Sequence, residues 1–534
     1  MNTLSAYGRT LDPSRRGSRA PFGLGTPTGF LPIRAPGAAG IANRADSIIV
    51  PPASTLPHPA CDTLPGRPCR HPLADFQQNE VLAQVEDMVK GRFDAIAPAL
   101  RAIAAIQHEG DFVARAQAIA LERLGFELPE TLLDDAWVSG LDMKRLYAHC
   151  VFRGVVLAAE HFSAEHQRQR EAALDARNFF LDCGFHAVDV SPCADGRLKG
   201  LLPYVLRVPM SDLVTRKSYA GAMFDVEANI RHWMDTELRR FREGFPVTAD
   251  AGTRYLKIAV YHTSSSDARH EGCAAHGSNE RDAAESALTR LNEFRQAIQN
   301  SFCCGASVDI LLIGVDTDTD AIKIHVPDGR GDLSLYRLVD NAEVYRNTLG
   351  LSPDAGRLAV YDAIQRAPQA SGWSGGQGEP HDGIRRLIAN LLIQNLSQIE
   401  YVGERHGGRY PDIGHAERFI VVGDGFEEVQ MRNVTYYAHL HTVEEGAADL
   451  DVGVQIFTKL NVAHGLPIPV AIHYRYDGNV PGARRRMATK CRRIKAAIEA
   501  RYPQLVAKDL LASSMSVQDR PVGSPIEPVD EERP

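Results

Sequence analysis

The chain has 534 residues, of which 44% are hydrophobic and 24% charged, and its formal net charge is −8. Such values are ordinary for a globular protein, and the length predicts three or four units with separate cores. The negative charge argues against a nucleic-acid-binding protein. Because no apolar run is long enough for a signal peptide or a membrane span, we expect a cytoplasmic protein without membrane or nucleic-acid partners.

Residues 1–56 are predicted to be a disordered basic arm. Up to position 50 the arm has six arginines, no lysine and two acids, among many glycines and prolines. This composition cannot bury a core. The arm is either a solvated tail or a segment that binds an acidic protein partner. Beyond it, Cys61 and Cys69 could form a redox-sensitive pair.

Residues 57–170 are predicted to form a small helical domain. Apolar residues recur at helical spacing from Leu82 to Ile96, and a second helical run covers residues 143–162. No potential ligands cluster on these helices. We therefore expect a packing or docking domain without chemistry of its own.

Residues 171–415 alternate β-branched runs with helical periods, which predicts an α/β fold with a parallel sheet. Strands are expected over residues 186–190, 255–261 and 308–315, and helices over residues 222–243 and 280–300. A hairpin is expected over residues 310–326. Its aspartates lack the spacing of a calcium-binding loop and are interpreted as a solvated turn. A helix over residues 383–399 and a glycine-rich loop with His415 complete this region.

Residues 416–518 are predicted to form a second α/β unit. Buried strand runs occur at residues 420–422 and 469–473, and a basic helix is expected at residues 485–501. The order of these elements weakly repeats that of the preceding domain. Residues 519–534, rich in proline and acids, are predicted to be a tail.

Chemically reactive side chains follow the ends of the first two predicted strands. Cys193, Asp195 and Arg197 follow the first strand, and alternate residues of an extended segment share one face. His262 ends the second strand, and Cys273 precedes a helix. Ligands of α/β sheets gather at the carboxyl ends of strands. Two thiolates and an imidazole, with a fourth position left for water, are typical of a catalytic zinc site.

Other cysteines and histidines are alternative ligands. His270 and His276 lie close to Cys273 in sequence, and the spacing alone leaves them open. Cys183, near His186 and ten residues before Cys193, is expected to be a buried core thiol. The neighbours Cys303 and Cys304 would point to opposite faces of a strand and are also assigned to the core.

The CADGR run, followed by a histidine and a cysteine, resembles the signature of the beta-class carbonic anhydrases. A larger set of runs resembles the carboxysome shell carbonic anhydrases of the alpha-type carboxysome. These runs are FFLDCGFHAVDVSPCADGRLKGLLPY, CAAHGSNE, CCGASVDILLIGVDTDTDAI, RHGGRYP, DIGHAER and GLPIPVAIHYRYD. The likeness extends from about residue 57 to residue 527. The ten residues between His262 and Cys273 depart from the plain beta-class spacing but agree with the shell type.

The resemblance implies three domains in chain order. A small all-α domain comes first, a beta-carbonic-anhydrase-like catalytic domain follows, and a degenerate second copy of the catalytic domain, without metal, comes last. The resemblance also implies one Zn²⁺ per chain, held by Cys193, His262 and Cys273, with Asp195 and Arg197 as the catalytic dyad. His415 is a candidate proton-transfer group near the site. The alternative for His415 is a histidine bonded only within its turn.

The implied activity is reversible hydration of carbon dioxide to bicarbonate. In the cell it would run as bicarbonate dehydration that supplies carbon dioxide to Rubisco, inside the carboxysome of a bacterium. The implied partners are further copies of the chain in a homodimer or larger homo-oligomer, shell proteins and Rubisco, with residues 1–56 as a candidate contact. Two alternatives are a non-catalytic scaffold protein with structural or absent zinc, and a zinc hydrolase that acts on an analogue such as carbon disulfide.

Overall fold

The structure is a computed structural model of the chain. It describes residues 70–134, 136–163, 166–209, 211–245, 253–302, 307–370, 378–426, 431–438, 447–521 and 524–530. The predicted arm, Cys61, Cys69, Cys303 and Cys304 lie outside the described residues. Within these ranges, no helix combines the length and apolar character needed to cross a membrane.

The N-terminal region is helical, as predicted. Its helices are α1 (Phe76–Asp94), α2 (Ile96–Ala105), α3 (Phe112–Leu124), α4 (Ala136–Ser139) and α5 (Met143–Ser163). Helix α1 begins where the Asp75 side chain accepts a hydrogen bond from the backbone N–H of Gln78. Helix α3 ends at Gly125, whose left-handed backbone conformation favours glycine. The apolar faces of these helices form one core.

A six-stranded sheet follows helix α6 (His166–Asp182), with the strand order β2-β1-β3-β4-β5-β6. The strands are β1 (Phe185–Pro192), β2 (Val214–Arg216), β3 (Arg254–Thr263), β4 (Val308–Asp316), β5 (Ile322–His325) and β6 (Leu338–Asp340). Strands β1 to β4 are parallel, and β4, β5 and β6 pair antiparallel. The predicted parallel sheet and the predicted hairpin are both confirmed.

Helices cover this first sheet. They are α7 (Val226–Arg242), α8 (Glu280–Phe302), α9 (Asn341–Thr348), α10 (Pro353–Ala370) and α11 (Asp382–His406). Helix α7 begins four residues later than predicted, because the Asp225 side chain caps it by accepting from the backbone N–H of Ala228.

The aspartates of the β4–β5 turn are buried, so the prediction of a solvated turn is wrong. Asp318 accepts hydrogen bonds from the Ser264 hydroxyl at 3.0 Å and from the backbone N–H of Ser266 at 2.8 Å. Asp320 accepts from the Tyr410 hydroxyl at 2.9 Å. The turn fastens the end of the sheet to neighbouring loops, and tertiary contacts of this kind leave no local sequence pattern.

A second sheet has the strand order β11-β10-β9-β7-β8. Its strands are β7 (Phe419–Gly423), β8 (Thr435–Ala438), β9 (Ile468–Tyr476), β10 (Leu511–Asp519) and β11 (Ile526–Pro528). Its helices are α12 (Ala447–Leu460), α13 (Ala483–Arg501) and α14 (Pro503–Val506). Strand β11 lies within the predicted tail, so the tail is shorter than expected: residues 526–528 pair antiparallel with β10.

Five strands of the first sheet, β1 to β5, share one topology with the five strands of the second sheet, and β6 has no counterpart there. In each, a central strand (β1 or β7) is parallel both to a short edge strand (β2 or β8) and to the next long strand (β3 or β9). A further parallel strand follows, and then an antiparallel one. The N-terminal helices pack on one face of the second sheet, where the rings of Phe93 and Phe419 lie 5.7 Å apart.

Candidate metal centre

Three side chains converge where strands β1 and β3 end. Cys193 follows β1, His262 lies at the end of β3, and Cys273 precedes a short 3-10 turn. One ligand atom from each residue lies within 4.8 Å of the others. All three residues are buried. The structure therefore brings together the three residues to which the resemblance assigns the metal.

The donor set fits a zinc ion. The sulfur atoms of Cys193 and Cys273 are 3.9 Å apart. Two thiolates at zinc–sulfur distances of about 2.3 Å in a tetrahedral arrangement would be about 3.8 Å apart. Both ring nitrogens of His262 are buried and form no hydrogen bond of good geometry in the described part of the chain, although Nε2 lies 3.3 Å from Asp195 Oδ2. Such an orphaned imidazole beside two thiols is explained by a metal ion that binds one of its nitrogens.

The two thiols influence each other. Their mutual hydrogen bond, together with burial, raises the pKa of Cys193 well above its ordinary value. The same hydrogen bond lowers the pKa of Cys273. A divalent cation bound to both sulfurs would replace this sulfur–sulfur hydrogen bond and stabilise both thiolates.

A buried ion pair lies beside the three ligands. Arg197 donates to the two carboxylate oxygens of Asp195, from Nε at 3.0 Å and from Nη2 at 2.8 Å. Burial opposes the charge of Asp195, but the guanidinium holds the pKa of this carboxyl well below its usual range. Asp195 Oδ2 is 3.3 Å from His262 Nε2. The carboxylate is thus held ionised at the edge of the Cys–His–Cys cluster.

The segment from Cys193 to Arg197 is not extended throughout, so that prediction is wrong from Gly196 onward. Residues 196–198 form a 3-10 turn, in which the Asp195 side chain accepts a hydrogen bond from the backbone N–H of Arg197 at 2.9 Å. The bidentate pairing arises from this turn, whereas alternation along a strand would not produce it. A side chain at position 196 would collide with Glu417, so the turn requires glycine there.

His415 reaches the site through the loop that precedes the second sheet. Its Nε2 is 3.8 Å from Asp195 Oδ2, and its Nδ1 is 2.9 Å from Glu417 Oε1. Burial opposes a positive charge, but the two carboxylates raise the pKa of His415 to about 9. The alternative of a histidine bonded only within its turn does not describe this contact with Asp195.

Glu417 is a site residue that the sequence analysis missed. It is buried, and it accepts a hydrogen bond from the backbone N–H of Gly196 at 3.0 Å as well as contacting His415. The alternation of histidine and glutamate in HAE could have indicated that the two side chains share a face. Their approach to Gly196, however, depends on tertiary structure.

The alternative ligands lie away from the cluster. His270 is exposed and pairs with Asp267 at 2.8 Å, and His276 Nε2 contacts the carbonyl oxygen of Gly221 at 3.3 Å. Cys183 is a buried core thiol, as predicted, and burial raises its pKa to about 12. His186 pairs with Glu237 at 2.5 Å.

The fold and the site together define an α/β protein with a buried Cys–His–Cys centre and an adjacent carboxylate–guanidinium pair. Three family models match the chain. Residues 71–163 match Carboxysome Shell Carbonic Anhydrase, N-terminal; residues 175–415 match its catalytic domain; and residues 416–533 match its C-terminal model.

Known relatives agree with these matches. The carboxysome shell carbonic anhydrase of Halothiobacillus neapolitanus is 54% identical over 97% of this chain and 98% of the relative. The protein of that name from Prochlorococcus marinus strain MIT 9313 is 48% identical over 87% of this chain and 91% of its own length. A third relative of that name, from Parasynechococcus marenigrum, is 48% identical over 86% of this chain and 79% of its own length. The chain belongs to the carboxysome shell carbonic anhydrase family, and its enzyme class is carbonic anhydrase.

Proposed function

We propose that this chain interconverts carbon dioxide and bicarbonate at a zinc ion held by Cys193, His262 and Cys273. The observation that supports the proposal is the convergence of these three buried donors beside an ionised carboxylate. When bound, zinc supplies Lewis-acid chemistry that makes water a nucleophile near neutral pH. The protein residues then have to orient the reactants and move a proton.

Asp195 is the acceptor that orients a reacting O–H group. Its carboxylate accepts hydrogen bonds from Arg197 and keeps its negative charge. Oδ2 can therefore accept a further hydrogen bond from an O–H group next to the cluster. Arg197 also donates to the carbonyl oxygens of Glu271 at 2.5 Å and Ile413 at 2.8 Å. These bonds fix the guanidinium, and the guanidinium in turn keeps the carboxylate in one orientation.

His415 is the candidate that holds and moves a proton. Near neutral pH it is protonated, because Asp195 and Glu417 raise its pKa to about 9. Its Nε2 faces Asp195, and its side chain is one-fifth exposed to solvent. The imidazolium can donate a proton toward the site or to solvent, and the neutral imidazole that remains can accept one from the other side.

A catalytic role is favoured over a scaffold role. A structural zinc site is usually closed by four protein ligands, whereas three donors converge here within the described ranges. A structural site also has no need of the buried Asp195–Arg197 pair. The shared strand order supports the further proposal that the catalytic domain is beta-class-like and that the second sheet is its degenerate copy.

The family name provides the cellular setting of the proposal. The relatives are named for the carboxysome shell. We infer that this chain acts in the same compartment, where dehydration of bicarbonate would supply carbon dioxide to Rubisco. Self-association, and contacts of the N-terminal arm with shell proteins or Rubisco, are part of this proposal.

Stopped-flow carbon dioxide hydration, with bound zinc counted in the same sample, tests the proposed function. We expect one zinc per chain and rapid hydration that chelation abolishes and added zinc restores. Tightly bound zinc without hydration would contradict the proposal and favour the scaffold function. Assays with carbon disulfide would detect the alternative hydrolase.

A further inference from the structure

Lys199 and Lys257 are both buried in the first domain, but their surroundings differ. Lys257 Nζ donates to the carboxylate of Asp189 at 2.8 Å. It also donates to the Ser191 hydroxyl at 2.8 Å and to the Asn229 side-chain oxygen at 2.6 Å. Its charge is therefore paired, and each of the three protons of its ammonium group has an acceptor.

Lys199 has much weaker partners. Within the described ranges it pairs with no carboxylate, and its Nζ forms one long hydrogen bond, to the Ser218 hydroxyl at 3.4 Å. The nitrogen also lies 4.3 Å from the centre of the Tyr437 ring. The ring face attracts a cation, but it replaces only part of the hydration that a buried ammonium group loses. These surroundings fit a neutral amine better than an ammonium ion.

The protonation of the two lysines follows this difference. Burial and the charge of Arg216 lower the pKa of Lys199 well below its usual range, and the acidic groups of the metal centre oppose this change without offsetting it. Burial also lowers the pKa of Lys257, but there the contact with Asp189 acts in the opposite direction. The Lys199 amine therefore has a free lone pair near neutral pH, which makes it a nucleophile.

A cavity of about 380 Å³ gives Lys199 room to react. It lies between the first domain and the second sheet, and Lys199 and Tyr437 both line it. Lys217 and Arg520 line it as well and are partly or fully exposed, so the cavity reaches the surface and small solutes can enter. A molecule of three heavy atoms needs only a fraction of this volume.

We propose that Lys199 is a carbamylation site, at which the buried amine reacts reversibly with carbon dioxide. The lone pair of Nζ attacks the carbon atom, an N–C bond forms, and the electron pair of one C–O π bond moves to oxygen. One N–H proton leaves to water in the cavity. The products are a carbamate and a proton, and nothing is oxidised or reduced. The positive charges of Lys217 and Arg520 favour the anionic product.

The modified residue would adjoin the catalytic turn. Lys199 directly follows the 3-10 turn of residues 196–198, and its carbonyl oxygen accepts a hydrogen bond from Arg216 Nη1 at 3.3 Å. Carbamylation would place a negative charge there in proportion to the amount of carbon dioxide. The inference goes beyond the proposed function and requires only dissolved carbon dioxide, so an unmodified Lys199 would leave the proposed function intact.

Carbamate trapping on the zinc-loaded full-length chain tests this inference. The protein is equilibrated at one fixed pH with isotope-labelled carbon dioxide and bicarbonate, alkylated with triethyloxonium tetrafluoroborate, digested and analysed by tandem mass spectrometry. We expect a labelled ethyl carbamate on Lys199 whose occupancy rises with the concentration of carbon dioxide.

Two other lysines are internal controls in the same sample. Lys257 is paired with a carboxylate, and Lys459 is exposed, where lysines are ammonium ions near neutral pH. Both should carry about tenfold less label than Lys199, or even less. No label on Lys199, or as much label on Lys459 as on Lys199, would overturn the inference.

The variants Ser218→Asp and Ser218→Asn test whether the missing counter-ion makes Lys199 reactive. A carboxylate beside Nζ favours the ammonium ion, so Ser218→Asp should lower the label on Lys199 by about tenfold or more. The matched amide, Ser218→Asn, should keep the parental label. Melting temperatures show whether both variants are folded, and the experiment on the parent chain requires no substitution. Equal label on Lys199 in the parent chain and both folded variants would contradict the proposed chemistry.

Discussion

At the scale of single residues, the two cluster cysteines differ from the other buried cysteines in what surrounds them. Cys193 and Cys273 contact each other and lie beside His262, whereas Cys491 is buried with the carbonyl oxygen of Ser516 at 3.6 Å. Burial raises the pKa of Cys491 to about 12, so it stays a thiol. Burial alone therefore does not make a metal ligand.

Cys273→Ala is predicted to lose zinc while Cys491→Ala keeps it. Loss of one thiolate leaves two protein donors, which bind zinc far more weakly than three. Zinc per chain, measured by atomic emission after dialysis, distinguishes the variants. Stoichiometric zinc in Cys273→Ala would show that another residue is the third ligand.

Asp195→Asn is predicted to retain zinc and to lose activity by about a hundredfold or more, because the amide cannot replace the ionised acceptor. It should also unfold more easily, because Arg197 is then left as an unpaired buried charge. Asp87→Asn is the matched control, since Asp87 pairs with Arg405 at the surface. Hydration rate, zinc content and melting temperature are the measurements. Full activity in zinc-loaded Asp195→Asn would refute its assigned role.

Part of the site could be predicted from the sequence, because Cys193, Asp195 and Arg197 lie close together in the chain. The placement of His262 and Cys273 depended on the family resemblance, since ten residues separate them. Glu417 meets Gly196 across 221 positions. No local pattern encodes that contact.

At the scale of elements, helix α11 contains two glycines in opposite environments. A side chain at Gly383, in its first turn, would collide with the carbonyl oxygen of Cys183. At Gly403, near the other end, the added atom would have nothing within 4 Å.

We predict that Gly383→Ala destabilises the protein by about 1–3 kcal/mol, because the helix has to move away from the end of α6. Gly403→Ala should instead stabilise it by about 0.5–1 kcal/mol, because alanine restricts the unfolded chain and favours helix. Denaturant unfolding of the two variants beside the parent chain measures both values. Equal stabilities for the two variants would argue against the close packing at Gly383.

The long elements could be predicted from sequence, and the short ones could not. Strands such as β3 and β4 are nearly continuous buried runs, and α5 and α8 have clear helical periodicity. Strands β2, β6 and β11 have only three residues each, too few to show a period. Their pairing is determined by the neighbouring strand, so β11 was assigned to a tail.

At the scale of the whole molecule, both sheets contain a buried histidine that burial keeps neutral. His325 Nε2 lies 3.0 Å from the Tyr261 hydroxyl in the first sheet, and His473 Nδ1 lies 2.9 Å from the Ser516 hydroxyl in the second. Burial lowers the pKa of His325 to about 4 and that of His473 to about 3. The unfolded chain takes up these protons near pH 6.5.

Because the folded pKa values lie below the unfolded ones, the stability from these histidines is fully present above pH 6.5 and is lost as the pH falls toward 4. At pH 5 the contribution of each histidine to the free energy of unfolding should be smaller by about 2 kcal/mol than it is above pH 6.5. In His473→Gln, the decrease in unfolding free energy between pH 7.5 and pH 5 should therefore be smaller than in the parent chain by about that amount. His464→Gln, at an exposed position, should retain the parental decrease. Denaturant unfolding at the two pH values provides the comparison, and identical decreases in all three proteins would mean that His473 titrates normally in the folded state.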